Sequence, residues 1–466
     1  MKPEATNKPF VASVTMGYGH LRAAHPLAER LGVEVQVVDE APLADPKEVA
    51  LWRWVRRMHE LLSKPMPALG PFDRQARGLM DALTMIPPLH ETRDHHAPTW
   101  SVRLLNRLIR HGLGARMVEH LRETGAPLVT TFYAPAIAAD LAGIPNVYCV
   151  VTDADCNRVW APLDPARTRI KYAAPTPRVV RRLRSFGVPE RNIFLTGFPL
   201  PPLLTSASDT TAPAQRLAER IARLDPRGVF RNLHRHEVSV LQAEAGPRLE
   251  AVRKDRQHGP IHILFAVGGA GAQVEMVDDF LPPMRAMIAS GEIRLLLSAG
   301  TRPEVVRAFV AAITRAGLQS ALGSDIVIID GPDFKSYYEA FNRALLRTDV
   351  LWTKPSELSF YPALGMACIV SKPLGSHERY NRRWLREQGV GLKQGRLDHA
   401  AGWLSEWLED GTLAGAAWSG YARLPKHGTD LIAELVLERR ESSLIAAAVP
   451  VLPQAVPSQS SIKVTS

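Results

Sequence analysis

The chain has 466 residues, 46% of them hydrophobic and 22% charged, with a formal net charge of +10. That length exceeds what one hydrophobic core serves, and the composition excludes a disordered or fibrous protein. Three cysteines, Cys149, Cys156 and Cys368, are too few for a disulfide framework and lack metal-knuckle spacing, which points to a reducing compartment.

The elements are expected as follows, in chain order. FVASVT at 10–15 reads as a buried strand, MGYGH at 16–20 as a tight glycine turn, and LRAAHPLAERL as the amphipathic helix after it. Further strands are expected at 33–38, 127–131, 146–152, 170–172 and 192–196, apolar without polar alternation, as in strands covered on both faces. A helical, Arg-rich insertion over 45–125 interrupts the series. GFPLPPLLTSASDTTAPA, from Gly197, is rich in proline and serine and reads as a linker, followed by a basic helical stretch to about 258. A second series opens with IHILFAV-GGAGAQ at 261–273 and continues with strands at 293–298, 325–329, 349–352 and 367–371.

The pattern predicts an α/β protein of two Rossmann-like parallel-sheet domains facing a central cleft. The boundaries are 1–200 for the first domain, 201–258 for the linker and basic segment, and 259–400 for the second domain. Helices over 401–440, carrying Trp403, Trp407 and Trp418, are expected to brace the domains, and 441–466 reads as a disordered tail.

Both glycine turns open helices, whose N-termini favour anions. With the net positive charge, this points to a phosphate-bearing or anionic-lipid partner. No nucleic-acid-binding signature is present, so nucleic acid is not an expected partner. His90, His95 and His96 lack the i, i+4 spacing of a helical metal pair, and no metal is expected. No apolar run reaches the roughly 18 residues of a membrane span, and MKPEATNKPF has no apolar signal core. The expected location is cytoplasmic. LWRWVRRMHELL at 51–62 places Leu51, Trp54, Val55, Met58, Leu61 and Leu62 on one helical face, with Arg53, Arg56 and Arg57 on or near the other. Such a helix either packs that face into a core or lies on an anionic membrane surface.

Taken together, these motifs resemble glycosyltransferase family 28, which has the GT-B fold. The resemblance is closest to the monogalactosyldiacylglycerol synthases and the lipid II N-acetylglucosaminyltransferases, and covers about 10–400 in patches. GYGH is similar to that family's first glycine loop. The resemblance implies that His20 takes the acceptor's proton, with Gly17, Tyr18 and Gly19 beside the acceptor; the plainer reading is a histidine that lines a turn. VVTDADCNRVWAP at 150–162 looks like the family's VVTD segment. It implies that Asp153 orients the base or the acceptor hydroxyl, with Asp155 and Asn157 nearby; Asn157 stands where the family has histidine.

GGAGAQ resembles the second glycine loop, which implies that Gly268, Gly269 and Gly271 hold the donor diphosphate. TKPSELSFYPALGMACIVSKPLGSHERYNRRWLREQGVGL at 353–392 resembles the segment that holds ribose and donor sugar. That implies donor-binding roles for Lys354, Glu357, His377, Glu378 and Asn381. Ser356-Glu357 replaces a glycine pair and Pro362 replaces a glutamate, changes that fit an altered donor or a protein that binds without turnover. GTRPE at 300–304 resembles the opening of UDP-N-acetylglucosamine 2-epimerases but lies in the second half, where Gly300 turns the chain and Pro303 starts a helix.

The resemblance implies an inverting transfer of a hexose or N-acetylhexosamine from a nucleotide sugar, UDP-linked, to a lipid or other hydroxyl acceptor. No cofactor or metal is expected, and attachment at the inner membrane face would run through 51–62. The alternatives are a degenerate sugar-nucleotide sensor and an epimerase-like enzyme.

Overall fold

Among the described residues, twelve short strands pair into two parallel sheets. The computed structural model describes residues 8–63, 86–87, 89, 95–205, 211–246, 259–267, 271, 273–373 and 376–437. The first sheet contains β1 (Phe10–Ser13), β2 (Val35–Val37), β3 (Leu128–Thr130), β4 (Val147–Val150), β5 (Lys171–Ala174) and β6 (Ile193–Leu195), in the order β2-β1-β3-β4-β5-β6. The second contains β7 (Ile261–Ala266), β8 (Ile293–Gly300), β9 (Ile326–Asp330), β10 (Val350–Thr353), β11 (Ala367–Val370) and β12 (Gly391–Lys393), in the order β12-β11-β10-β7-β8-β9. All pairings are parallel. The chain is α/β, with two Rossmann-like parallel sheets. β1, β4, β10 and β11 are buried along their whole length because helices cover both faces, which is why they read as unbroken apolar runs.

In open parallel sheets, ligands sit beyond the carboxyl ends of the strands, where the strand order reverses. That reversal falls between β1 and β3 in the first sheet and between β7 and β10 in the second. The turns after these four strands carry most of the residues singled out in the sequence.

The two sheets share a continuous apolar seam. Ala23 and Ala154 meet Phe198, Leu200 and Leu204, and these meet Leu264, Leu358, Phe360 and Leu364. Phe198 stacks on Phe360 with ring centroids 4.6 Å apart. The crossing at 197–201, with Leu204 after it, is therefore buried, and these side chains are core rather than a solvated tether, while Leu203 is 50% exposed.

Trp403, Trp407 and Trp418 pack against the core of the second sheet. The helix that returns to the first sheet is Gly428–Val436. Its Ile432, Leu435 and Val436 close over Ala24, Leu27, Ala28, Tyr148, Val150 and Phe194. Arg30 pairs with Asp430 at 2.7 Å beside them. Residues 441–466, expected to be a tail, lie outside the described residues.

The phase of the helix Pro46–Ser63 differs from the expected one. Trp52 is its anchoring residue at 1% exposure, whereas Trp54 is 41% exposed. Trp52 reaches the Phe132 ring, and Arg56 turns inward to donate to Asp39 at 2.8 Å. Phe132 follows β3 directly, so the helix is fixed by what that strand's end presents. The side chains of Met58, Leu61 and Leu62 lie outside the described residues. No helix among the described residues is long and apolar enough to cross a membrane.

Candidate active site at the interdomain interface

The turn after β1 leads into the helix Tyr18–Leu31. Gly17 holds φ 118° at its N-cap, a conformation that strains any side chain, and so permits the sharp entry. The next three residues all face the opposite sheet or the strand ends. Tyr18 crosses to the GTRPE segment: its hydroxyl accepts the Thr301 N–H at 2.9 Å and bonds the Thr301 hydroxyl at 2.8 Å. At Gly19 a Cβ would lie 3.1 Å from Glu357 Oε2, so the absence of a side chain lets the second sheet's carboxylate settle on the turn.

His20 sits at the reversal between β1 and β3. Its Nδ1 is 2.8 Å from the Thr131 carbonyl, and the Phe132 ring meets it edge-on at 4.8 Å. A carbonyl only accepts, so Nδ1 carries the hydrogen and Nε2 keeps its lone pair. Burial lowers the imidazole from its ordinary value; the Thr131 carbonyl and the charges of Asp153 and Glu357 oppose this in part, and His377 adds to it. The ring is therefore neutral at neutral pH and able to accept a proton.

Asp153 follows β4 and accepts from Asn381 Nδ2 at 3.0 Å. Asn381 is buried, and its carboxamide is fully used. Oδ1 accepts the Ala154 N–H at 2.8 Å, and Nδ2 also reaches the Pro355 carbonyl at 3.2 Å. Asn381 thus ties the two sheets together. Lys354 donates to Glu378 Oε1 at 2.7 Å. Burial would weaken the ammonium, but Glu378 first, then Glu357 and Asp153, outweigh it and raise Lys354 above its ordinary value. It remains a cation. His377, half-buried at the start of the helix Ser376–Glu387, lies near enough for its charge to act on His20.

His20, Asp153, Lys354, Glu357, His377, Glu378 and Asn381 thus form one cluster, drawn from both sheets. Other sequence candidates stand apart from it. Asp155 is buried and engaged by Arg178 at 2.6 Å and by Arg182 at 2.9 Å, and it accepts the Cys156 N–H at 2.9 Å. These contacts fasten the helix Pro177–Ser185 to the end of β4 and leave neither oxygen free of a partner. Asn157 caps a short helical turn at 158–160, and its Oδ1 is buried without a hydrogen-bond partner. Pro362 lies in the turn Glu357–Leu364, backed by Gly420.

Gly268 and Gly269 lie outside the described residues. Gly271 adopts φ 70°, close to Val305 and Arg302. Gln273 also adopts a positive φ, 71°, and bonds Ser371 at 2.7 Å and the Lys372 carbonyl at 2.9 Å, so the second glycine turn is tied to the end of β11. All three cysteines are buried, with their thiols raised by that burial. Among the described residues, no group of three or more His, Cys, Asp or Glu side chains is placed to hold a metal ion.

Two participants escaped the sequence reading. Arg22, one helical turn after Tyr18, is 2% exposed and reaches the second sheet, where Nη2 donates to the Tyr337 hydroxyl at 2.5 Å and Nε lies 3.3 Å from Glu357 Oε1. The only sequence signal was its place two residues after GYGH. Thr301 was set aside with GTRPE as a turn, although it is the partner of Tyr18.

Residues 235–326 match a family described as Domain of unknown function (DUF6938). None of the curated proteins compared with the chain matches it. Among solved structures, the chain is similar to the S. aureus MnaA-UDP co-structure, with 12% identity, 93% of this chain and 98% of that chain covered, and a TM-score of 0.45. It is similar to Acinetobacter baumannii MurG at 14% identity, covering 92% and 99% with a TM-score of 0.45. It is also similar to the glycosyltransferase SnogD from Streptomyces nogalater at 14% identity, covering 95% and 100% with a TM-score of 0.42.

Proposed function

We propose that the chain is a nucleotide-sugar-dependent inverting glycosyltransferase acting on a hydroxyl acceptor. The observation that carries this reading is His20 at the strand-order reversal of the first sheet. It donates through Nδ1 to Thr131 and faces residues that follow the reversal in the second. A neutral imidazole held in one tautomer is suited to take a hydroxyl proton. The acceptor oxygen attacks the anomeric carbon as the bond to the diphosphate breaks. The proton passes to His20 Nε2 and the electron pair leaves with the diphosphate. The glycine turn after β7 is assigned the departing anion from its sequence, since backbone N–H groups at a helix start stabilise developing negative charge. Lys354 and His377 are the donor-side candidates, with Glu378 fixing Lys354.

The proposed donor is a UDP-linked hexose or N-acetylhexosamine. The proposed acceptor is a lipid or other hydroxyl compound, reached at an anionic membrane surface on the cytoplasmic side through the exposed Trp54 and its basic neighbours.

One observation favours a second reading, a sugar-nucleotide sensor without turnover. Asn381, assigned to the donor sugar, spends its whole carboxamide on protein partners, two of them across the interface. Calorimetric binding of UDP, run beside transfer and hydrolysis of a panel of UDP-sugars, separates the two. Turnover supports the transferase, tight binding without turnover supports the sensor, and no binding removes both.

A further inference from the structure

We propose that Glu357, pinned by Arg22, is the positioning residue of the His20 base rather than a ligand of the donor ribose. The inference rests on the reading of His20 as a base.

The geometry begins with Gly19. Glu357 Oε2 lies 3.1 Å from where a Cβ would stand, so the carboxylate is seated on the very turn that carries His20. Its other oxygen is 3.3 Å from Arg22 Nε, and Arg22 lies on the same helix as His20. Arg22 cannot easily swing away. Nη2 is bonded to the Tyr337 hydroxyl at 2.5 Å, that hydroxyl is bonded to Ser298 at 2.8 Å, and the guanidinium lies over Phe341 with its carbon 3.9 Å from the ring centroid. A buried guanidinium needs a counter-charge. Among the described residues, Glu357 is the only carboxylate within ion-pair distance of Arg22. The pair is thus held by burial on one side and by the missing side chain of Gly19 on the other.

The groups that face His20 are Asp153 from the first sheet, Glu357 and His377 from the second, and the Thr131 carbonyl. Lys354 faces both carboxylates. When His20 takes up the acceptor's proton, the imidazolium is stabilised by one carboxylate from each sheet. Arg22 is the part that keeps the second carboxylate on the first sheet's turn. It follows that the base reaches full strength only while the sheets are closed. Opening the interface would remove Glu357 from His20 and leave burial to oppose its protonation.

The test is titration of the His20 ring by NMR in 13C-histidine-labelled protein, with UDP affinity and transfer rate measured on the same samples. In Glu357→Gln the His20 titration moves to lower pH, transfer falls by roughly tenfold or more, and the Kd for UDP stays within about threefold. Glu357→Asp, which keeps the charge, recovers part of the titration and guards against a poorly folded Gln variant. In an Arg22→Lys background, which keeps the cation but loses the flat stacked contact, Glu357→Gln moves His20 by less. An unchanged His20 titration overturns the proposal, as does a large loss of UDP affinity with His20 unaltered. If the parent protein binds no nucleotide, the transferase reading fails, while the His20 titration still decides the link to Glu357.

Discussion

Asn381 donates through Nδ2 to Asp153 Oδ1 at 3.0 Å, across the interface between the two sheets. The same side chain accepts from Ala154 N at 2.8 Å. A carboxamide matches this pair of a carboxylate and an N–H; neither a carboxylate nor an apolar side chain serves both.

Asn381→Ala leaves the Ala154 N–H buried without a partner, a loss of about 1–3 kcal/mol. Asn381→Asp is worse, because it places a second carboxylate against Asp153. Urea unfolding at neutral pH should rank parent, Ala, then Asp in falling stability. Equal midpoints for Asn and Asp would show that the strut bears no strain.

His20→Ala should lower transfer by roughly 10²–10⁴-fold, the span of general base catalysis. Because burial lowers the imidazole below its ordinary value of 6.5, the acid limb of the parent's rate profile should fall below pH 6.5. A limb above pH 6.5 would assign the base elsewhere.

His25 lies on the same helix, against the rings of Phe334 at 5.2 Å and Tyr338 at 5.0 Å. Burial, and secondly the charge of Lys335, push it down to about 4. The unfolded chain takes up this proton near pH 6.5, while the folded chain does so only near pH 4. Stability from this source is therefore present above pH 6.5 and is lost as the pH falls toward 4. His25→Phe keeps the ring contacts and removes the titration. Its urea midpoint should drop less than the parent's between pH 6.5 and 4.5; equal drops would sink the assignment.

Asp155→Asn removes the charge that Arg182 and Arg178 share. Breaking one side of a buried ion pair costs about 3–5 kcal/mol. The melting temperature should fall sharply, with acceptor KM and UDP affinity unchanged in the folded fraction. A raised acceptor KM at unchanged stability would instead place Asp155 at the acceptor.

Most of the fold was legible because strands buried on both faces leave continuous apolar runs, as in VYCV of β4 and ACIV of β11. β12 was not legible. Gly391–Lys393 is three residues long, ends in lysine and lies at a sheet edge, so neither its length nor its composition marks a strand. In the site, His20 and Asp153 could be named because their motifs are local. Arg22 could not, because its partners Tyr337, Phe341 and Glu357 lie more than three hundred residues away in the chain. The helix Pro46–Ser63 has two tryptophans two positions apart, and the periodicity alone chose the wrong one.

The closing helix Gly428–Val436 has a consequence for synthesis. β6 ends at Leu195, yet Ala24, Leu27 and Phe194 are covered only when Ile432 and Leu435 arrive. At about 5–20 residues per second, the nascent chain carries that apolar face uncovered on the ribosome for tens of seconds. The amino-terminal half is thus translated early and finished last, and during that interval it is a natural client for chaperones that shield exposed apolar surface.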